Sequence, residues 1–158
     1  MIKYEEPLVH QLLQITKKYL SAFSNITENI PLDRYHYALL LIDEHNETLT
    51  QKALAEFLQV DKSFMVSMID YLTEGGFVYR ETNSDDRRQQ VIKLTAYAKE
   101  IIPQIHKSIQ VLNQSAFQSV SKEKMNAFFE TIDILQNNLN TLIAQEIVLG
   151  YKKSKLKT

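Results

Sequence analysis

LTQKALAEFLQVDKSFMVSMIDYLTEGGFVYRETNSDDRRQQVIKLT, residues 49–95, holds two short helical patterns, a glycine pair and a strand-turn-strand within one window. Thr50 is placed to cap the first helix, and Ala53, Leu54, Phe57 and Leu58 supply its buried side. Gln59-Val60 makes a turn, and Asp61 caps the next helix, whose Met65, Met68, Ile69 and Leu72 share one face. The opposite face displays Lys62, Ser63, Ser67 and Tyr71, with Phe64 near its edge. Gly75-Gly76 ends the helix, because glycine accepts the left-handed conformation a helix end commonly needs. Residues 77–82 and 91–94 are rich in β-branched and aromatic side chains and flank the polar turn 83–88, which predicts a β-wing. This order of elements is that of a winged helix-turn-helix.

Working outward, Leu8, Leu12, Ile15, Tyr19 and Phe23 recur at steps of three and four, predicting an N-terminal helix over 5–25 with one apolar stripe. Pro31 suits the first turn of a second helix, since its missing N–H would be unpaired there in any case. Leu32, Tyr35, Leu39 and Ile42 then follow, and Ala38, Leu40 and Leu41 widen the apolar face to nearly all sides, predicting the buried centre of the lobe. After the wing, Thr95 caps a long helix carrying Ile101, Ile105, Ile109, Leu112 and Ala116, which Pro103 should kink or break into an irregular turn. Ser121 opens a last helix with Met125, Phe128, Ile132, Leu135, Leu139, Leu142 and Glu146 along one side.

The terminal helices carry more apolar stripe than one small lobe can cover, and a homodimer interface is the simplest resolution. The fold class is therefore mainly α with a small β-wing. Residues 1–30 read as an N-terminal dimerisation helix, 31–95 as the winged lobe, 96–150 as C-terminal dimerisation helices and 151–158 as a Lys-rich tail. That tail is either a frayed, solvated end or a phosphate-touching segment.

With 158 residues the chain suits one intertwined domain and has no room for a separate cofactor lobe. The net charge of -1 excludes a global basic field, so any nucleic-acid contact must come from local placement. The absence of cysteine removes disulfides and thiolate zinc sites and agrees with a reducing, cytoplasmic setting. The longest apolar run, Ala38 to Ile42, is far below the roughly 18 residues of a membrane span. No nucleophile-base grouping, glycine-rich phosphate loop or paired carboxylates are present, so no enzyme and no cofactor is expected. Asp43, Glu44, His45 and Glu47 are metal-capable donors that point to different sides of a helix, and no metal site is expected.

Asp86-Arg87-Arg88 followed by Leu94-Thr95 resembles the wing motif of the MarR family of bacterial transcription regulators. Leu49-Thr50-Gln51, Leu54-Ala55, Val60-Asp61-Lys62-Ser63 and Gly76-Phe77-Val78 extend the resemblance over nearly the whole chain. It implies a homodimer reading palindromic double-stranded DNA, with the helix after the turn in the major groove and a wing arginine at the minor groove.

The expected DNA-binding residues are Arg88, Arg87, Asp86, Lys62, Ser63, Phe64, Ser67, Tyr71, Thr50 and Gln51. Asp86 is expected to aim the Arg88 guanidinium by paired hydrogen bonds. A small aromatic or anionic effector is expected near His10, Arg34 and Tyr35, with core packing of Tyr35 beside a solvated His36 as the competing reading. Two features depart from the family pattern. Ser67 and Tyr71 stand where its recognition helix commonly has basic residues, and Gln59 stands where its turn usually has glycine. A winged protein-interaction module without strong DNA binding is the alternative.

Overall fold

The computed structural model describes residues 7–83 and 86–142. Its elements are α1 (Leu8–Ile26), α2 (His36–Glu44), α3 (Gln51–Leu58), α4 (Lys62–Glu74), β1 (Val78–Thr82), β2 (Gln90–Leu94), α5 (Ala96–Ala116) and α6 (Lys122–Asn140). They fall into two compact units, residues 1–116 and 117–158.

In the first unit α2 is the centre. Ala38, Leu39, Leu40, Leu41 and Ile42 are all buried, and α3, β2 and α5 pack around them. The helix begins at His36 rather than at Pro31. Ile30 and Leu32 are both buried and draw the preceding segment into the core. There the Leu32 N–H donates to the Ile30 carbonyl at 2.7 Å, and Tyr35 takes a left-handed φ of 68° as N-cap, so the chain turns sharply before it can wind.

The two capped helices form as their sequence requires. The Ala53 N–H donates to Thr50 Oγ1 at 3.1 Å, and the Phe64 N–H donates to Asp61 Oδ1 at 2.8 Å, each meeting one of the donors left open at a helix start. Met65, Met68, Ile69 and Leu72 are buried, as is Leu54. Phe57, expected on the buried side of α3, is instead 53% exposed and lays its ring against His45, centroid to centroid 4.6 Å. Helix α4 ends as expected: Gly76 adopts φ 74°, and the Phe77 N–H reaches back to the Leu72 carbonyl at 2.8 Å.

The wing is an antiparallel pair in the register Val78↔Leu94 to Thr82↔Gln90. Val78, Ile92 and Leu94 point into the core, and the Ile92 N–H donates to the Leu49 carbonyl at 2.9 Å, tying the sheet to the residue just before the α3 cap. Thr95 caps α5 through the Ala98 N–H at 3.1 Å. Helix α5 runs on through Pro103, so of the kink or irregular turn expected there the irregular turn is absent. Ile101, Ile102 and Ile105 are buried on both sides of the proline. Ala116, expected in the same stripe, is exposed.

Helix α1 packs on α5, with the Tyr19 hydroxyl donating to Asn113 Oδ1 at 2.7 Å. Tyr19 and Phe23 are half-buried, whereas Leu8, Leu12, Leu13 and Ile15 are exposed. In the second unit the Lys124 N–H donates to Ser121 Oγ at 3.3 Å, capping α6. Phe117 gathers with Phe128 and Phe129, ring centroids 5.9 and 5.6 Å away. No residue of α6 is buried. Phe128, Phe129, Ile134 and Leu139 are exposed, as is Leu142 beyond the helix end. Glu146, the tail 151–158, the chain start 1–6 and the wing residues 84–85 lie outside the described residues.

Gln59 adopts φ 51° and ψ 46° at the α3 C-cap, the left-handed geometry a glycine takes without strain. Gln59→Gly is expected to leave the fold unchanged and to raise unfolding stability by up to about 1 kcal/mol, the left-handed penalty less the entropy glycine adds to the unfolded chain. Urea unfolding of the two proteins measures it, and a destabilised variant would show that the turn carries no such strain.

Candidate nucleic-acid interface

Two surfaces of the first unit present polar side chains from fixed backbone. One is the outer face of α4. Lys62, Ser63 and Ser67 are exposed there, while Phe64 and Tyr71 at its edge are half-buried. Ser67 Oγ donates to the Ser63 carbonyl at 3.2 Å, one turn back along the helix. Thr50 and Gln51, at the start of α3, are half-buried, and the Thr50 oxygen is already engaged as a cap acceptor.

Tyr71 departs from the freely displayed residue expected from the sequence. Its ring meets Tyr35 edge-on at 5.5 Å, and the Arg34 guanidinium lies over it, 4.3 Å from the centroid. Tyr35 also meets Phe64 edge-on at 6.0 Å.

The second surface is the wing tip. Arg87 and Arg88 are both exposed, with no carboxylate partner among the described residues. Asp86 does not clamp the Arg88 guanidinium as expected. Its Oδ1 accepts the Arg88 backbone N–H at 3.0 Å, its Oδ2 accepts from the Gln89 side-chain amide at 3.0 Å, and its carbonyl accepts the Gln89 N–H at 2.9 Å. A short carboxylate two residues before an N–H closes an Asx turn more readily than it reaches the end of a long arginine side chain. Asp86 thus fixes the backbone from which Arg87 and Arg88 project.

The base of the wing is braced by residues that sequence reasoning did not single out. Arg80 Nη2 donates to Asp70 Oδ1 at 2.7 Å, joining β1 to α4. Lys93 pairs with Glu81 at 3.7 Å, diagonally across the strands. The Glu47 carboxylate accepts the Leu94 N–H at 2.8 Å and the Lys99 ammonium, linking the α2–α3 turn to β2 and α5. Hairpin register could have revealed the Lys93–Glu81 pair. Nothing local in the sequence points to Asp70–Arg80 or to the Glu47 contacts.

Residues 30–89, the span from the entry into α2 to the wing, match the family model described as MarR family. The winged lobe belongs to the MarR family. Solved structures of similar fold include MarR itself, 24% identical with a TM-score of 0.71, over 89% of this chain and 95% of that one. The S. aureus MepR–DNA complex is 16% identical with a TM-score of 0.78, over 87% and 99% of the two chains. The transcriptional repressor CouR, bound to a 23-mer DNA duplex, is 19% identical with a TM-score of 0.74, over 86% and 99%.

Within this MarR-family lobe the residues expected around an effector are only partly brought together. Arg34 and Tyr35 share the aromatic cluster with Tyr71 and Phe64, 5.2 Å separating the guanidinium from the Tyr35 centroid. His10 is exposed on α1 and pairs with Gln14; no described contact joins it to Arg34 or Tyr35. His36 is not solvated. It is 6% exposed, edge-on to Phe23 at 5.0 Å, and its Nε2 has no hydrogen-bond partner among the described residues. Burial holds its pKa below the ordinary value, against the opposing pull of the Leu32 carbonyl and Asp33. Among the described residues no cluster of His, Asp or Glu is placed to hold a metal, and no helix is long and apolar enough to cross a membrane.

Burial alone would raise the Glu47 pKa, but the Lys99 ammonium and the Leu94 N–H outweigh it and hold the carboxyl below its ordinary value of 4.5. The folded state therefore binds this proton less readily than the unfolded one. Its contribution is complete above 4.5, declines as the pH drops under that value and is gone below the folded-state pKa. Glu47→Gln is expected to lower stability at neutral pH by about 1 kcal/mol, with the gap to wild type closing as the pH falls below the carboxylate range. Thermal melts across pH 7 to about 3 test this; a gap constant with pH would rule out the charged latch.

Proposed function

We propose that the chain is a homodimeric MarR-type transcription regulator that binds palindromic double-stranded DNA and is tuned by a small aromatic or anionic effector. The observation that carries this reading is the wing tip, where Arg87 and Arg88 stand exposed on a turn held by Asp86. A planar guanidinium on such a tip fits the narrow minor groove, where phosphates on both sides deepen the negative potential. The outer face of α4, with Lys62, Ser63 and Ser67, would lie in the adjacent major groove, and Phe64, Thr50 and Gln51 would make flanking contacts. The DNA-bound MepR and CouR structures, alike in fold, support the assignment.

The exposed apolar residues of α1 and those of α6 support a second copy of the chain as the partner that covers them. In this reading residues 1–30 and 96–150 supply the dimer contacts and 31–95 the DNA-reading lobe. Two lobes engage one duplex only when their recognition helices stand about one helical turn, ~34 Å, apart. An effector bound at Arg34 and Tyr35 would press on Tyr71 of α4 directly, and His10 is a separate candidate contact on α1. The single basic residue on α4, Lys62, favours the second reading, a winged protein-interaction module.

Arg88→Ala is expected to weaken binding to a duplex recovered by selection from genomic fragments by on the order of tenfold to a hundredfold. Fluorescence anisotropy reads the loss, and unchanged affinity would remove the wing from the mechanism. Absence of wild-type retention on heparin at low salt would favour the interaction module, because phosphate contacts release counterions and must show up there. Replacing Leu12 and Ile15 of α1 together by Glu is expected to yield a folded monomer by sedimentation, with operator affinity lost. A wild-type monomer would overturn the dimeric reading.

A further inference from the structure

Helix α4 carries one basic residue, Lys62, at its first position, so a helix proposed to lie in a DNA groove brings little positive charge of its own. A second cation is nevertheless held against it. Arg34, from the segment before α2, places its guanidinium 4.3 Å from the centroid of the Tyr71 ring and 5.2 Å from that of Tyr35. Successive helical residues are about 100° apart, which puts Ser63 and Ser67 between Asp70 on one side and Tyr71 on the other. The serine-lined face is thus bordered by two arginines, Arg80 at Asp70 and Arg34 at Tyr71.

The two differ in what remains of their charge. Arg80 is neutralised by the Asp70 carboxylate at 2.7 Å. Arg34 is exposed and has no carboxylate partner among the described residues. A guanidinium lying over an aromatic ring keeps its full charge, because the ring attracts it without cancelling it. Its N–H donors lie in the guanidinium plane and stay available at the edge, the geometry that suits a phosphate. Stacking also limits the rotamers of a long side chain, so less entropy remains to be lost on contact.

We propose that Arg34, carried on the Tyr71 ring, is a DNA-phosphate contact that adds a second positive charge to the α4 face beside that of Lys62. Tyr71 is then the positioning residue for Arg34. This rests on the DNA-binding reading above, and it makes the short segment before α2 part of the interface.

The test is anisotropy titration of the full chain with a mixed-sequence duplex of about 30 base pairs, three helical turns, over a series of salt concentrations. A phosphate contact contributes about 0.9 to the slope of log affinity against log salt, so Arg34→Ala should lower that slope by roughly 2 per dimer. Arg34→Lys should keep most of the slope. Tyr71→Leu should weaken binding, and Arg34→Ala combined with Tyr71→Leu should be no weaker than Arg34→Ala alone, since both remove the same contact. Circular dichroism melts of each variant separate these effects from unfolding. Wild-type affinity and slope in Arg34→Ala, alongside weakened binding in Arg88→Ala, would overturn the Arg34 assignment and leave the regulator reading standing. No salt-dependent binding by the wild type would overturn both.

Discussion

Five consecutive apolar residues, Ala38 to Ile42, are buried and leave the middle of α2 no side on which to meet water. A helix apolar all round is stable only when other elements enclose it, and this requirement organises the lobe. Helices α3 and α5 and strand β2 are the elements that pack against it. Because β2 is among them, the wing is not an appendage on a flexible stalk. Its inner residues Val78, Ile92 and Leu94 belong to the same core as Leu39 and Ile42. The buried residues of α4, Met65, Met68, Ile69 and Leu72, join that core too. Helix α4 and the wing are therefore referred to one hydrophobic centre, which sets how far apart and at what angle they stand.

Hydrogen bonds and ion pairs then fix what burial leaves loose. Burial is non-directional, and a hairpin resting on a core by three side chains can still rock. Arg80 to Asp70 ties the hairpin to α4, and Glu47, accepting from the Leu94 N–H, ties it to the α2–α3 turn. Thr95 closes the other end, donating to the Gly76 carbonyl at 2.7 Å while capping α5. At the tip, Asp86 does for the turn what these do for the base. These side-chain contacts are thus gathered at the base and the tip of the wing.

What the sequence made legible was whatever depends on neighbours along the chain. Apolar spacing located the helices, Thr50, Asp61, Thr95 and Ser121 marked their starts, and the glycine pair marked the end of α4. These are local rules, and they held. Most of the misreadings share one cause, a contact with a part of the chain distant in sequence, and Asp86 is the exception. Pro31 is a sound helix start taken alone, but burial of Ile30 and Leu32 delays the helix to His36. His36 reads as a surface residue until Phe23 closes over it. Asp86 could in principle hold a guanidinium, and the backbone N–H two residues on was simply nearer. Tyr71 occupies the helix edge that its number predicts, yet its ring is engaged by Arg34 and Tyr35, thirty-odd residues away in sequence.

The charge count shows most clearly why linear bookkeeping misleads here. Over residues 61–95 acids slightly outnumber bases, which argues for a weak electrostatic grip. In three dimensions four of these acids are engaged and are not free to repel a phosphate equally. Asp70 and Glu81 are matched by Arg80 and Lys93, Asp61 sits at the positive end of the α4 dipole with an N–H on its oxygen, and Asp86 is saturated by its own turn. The cations left without a carboxylate among the described residues of this window are Lys62, Arg87 and Arg88, all exposed. Arg34 joins them from outside the window, borne on a helix whose one basic residue is Lys62. Field at a surface falls off over roughly a Debye length, ~8 Å at physiological salt, so a duplex would respond to that local set rather than to the net charge. A chain with a charge of -1 is in this way compatible with a cationic face.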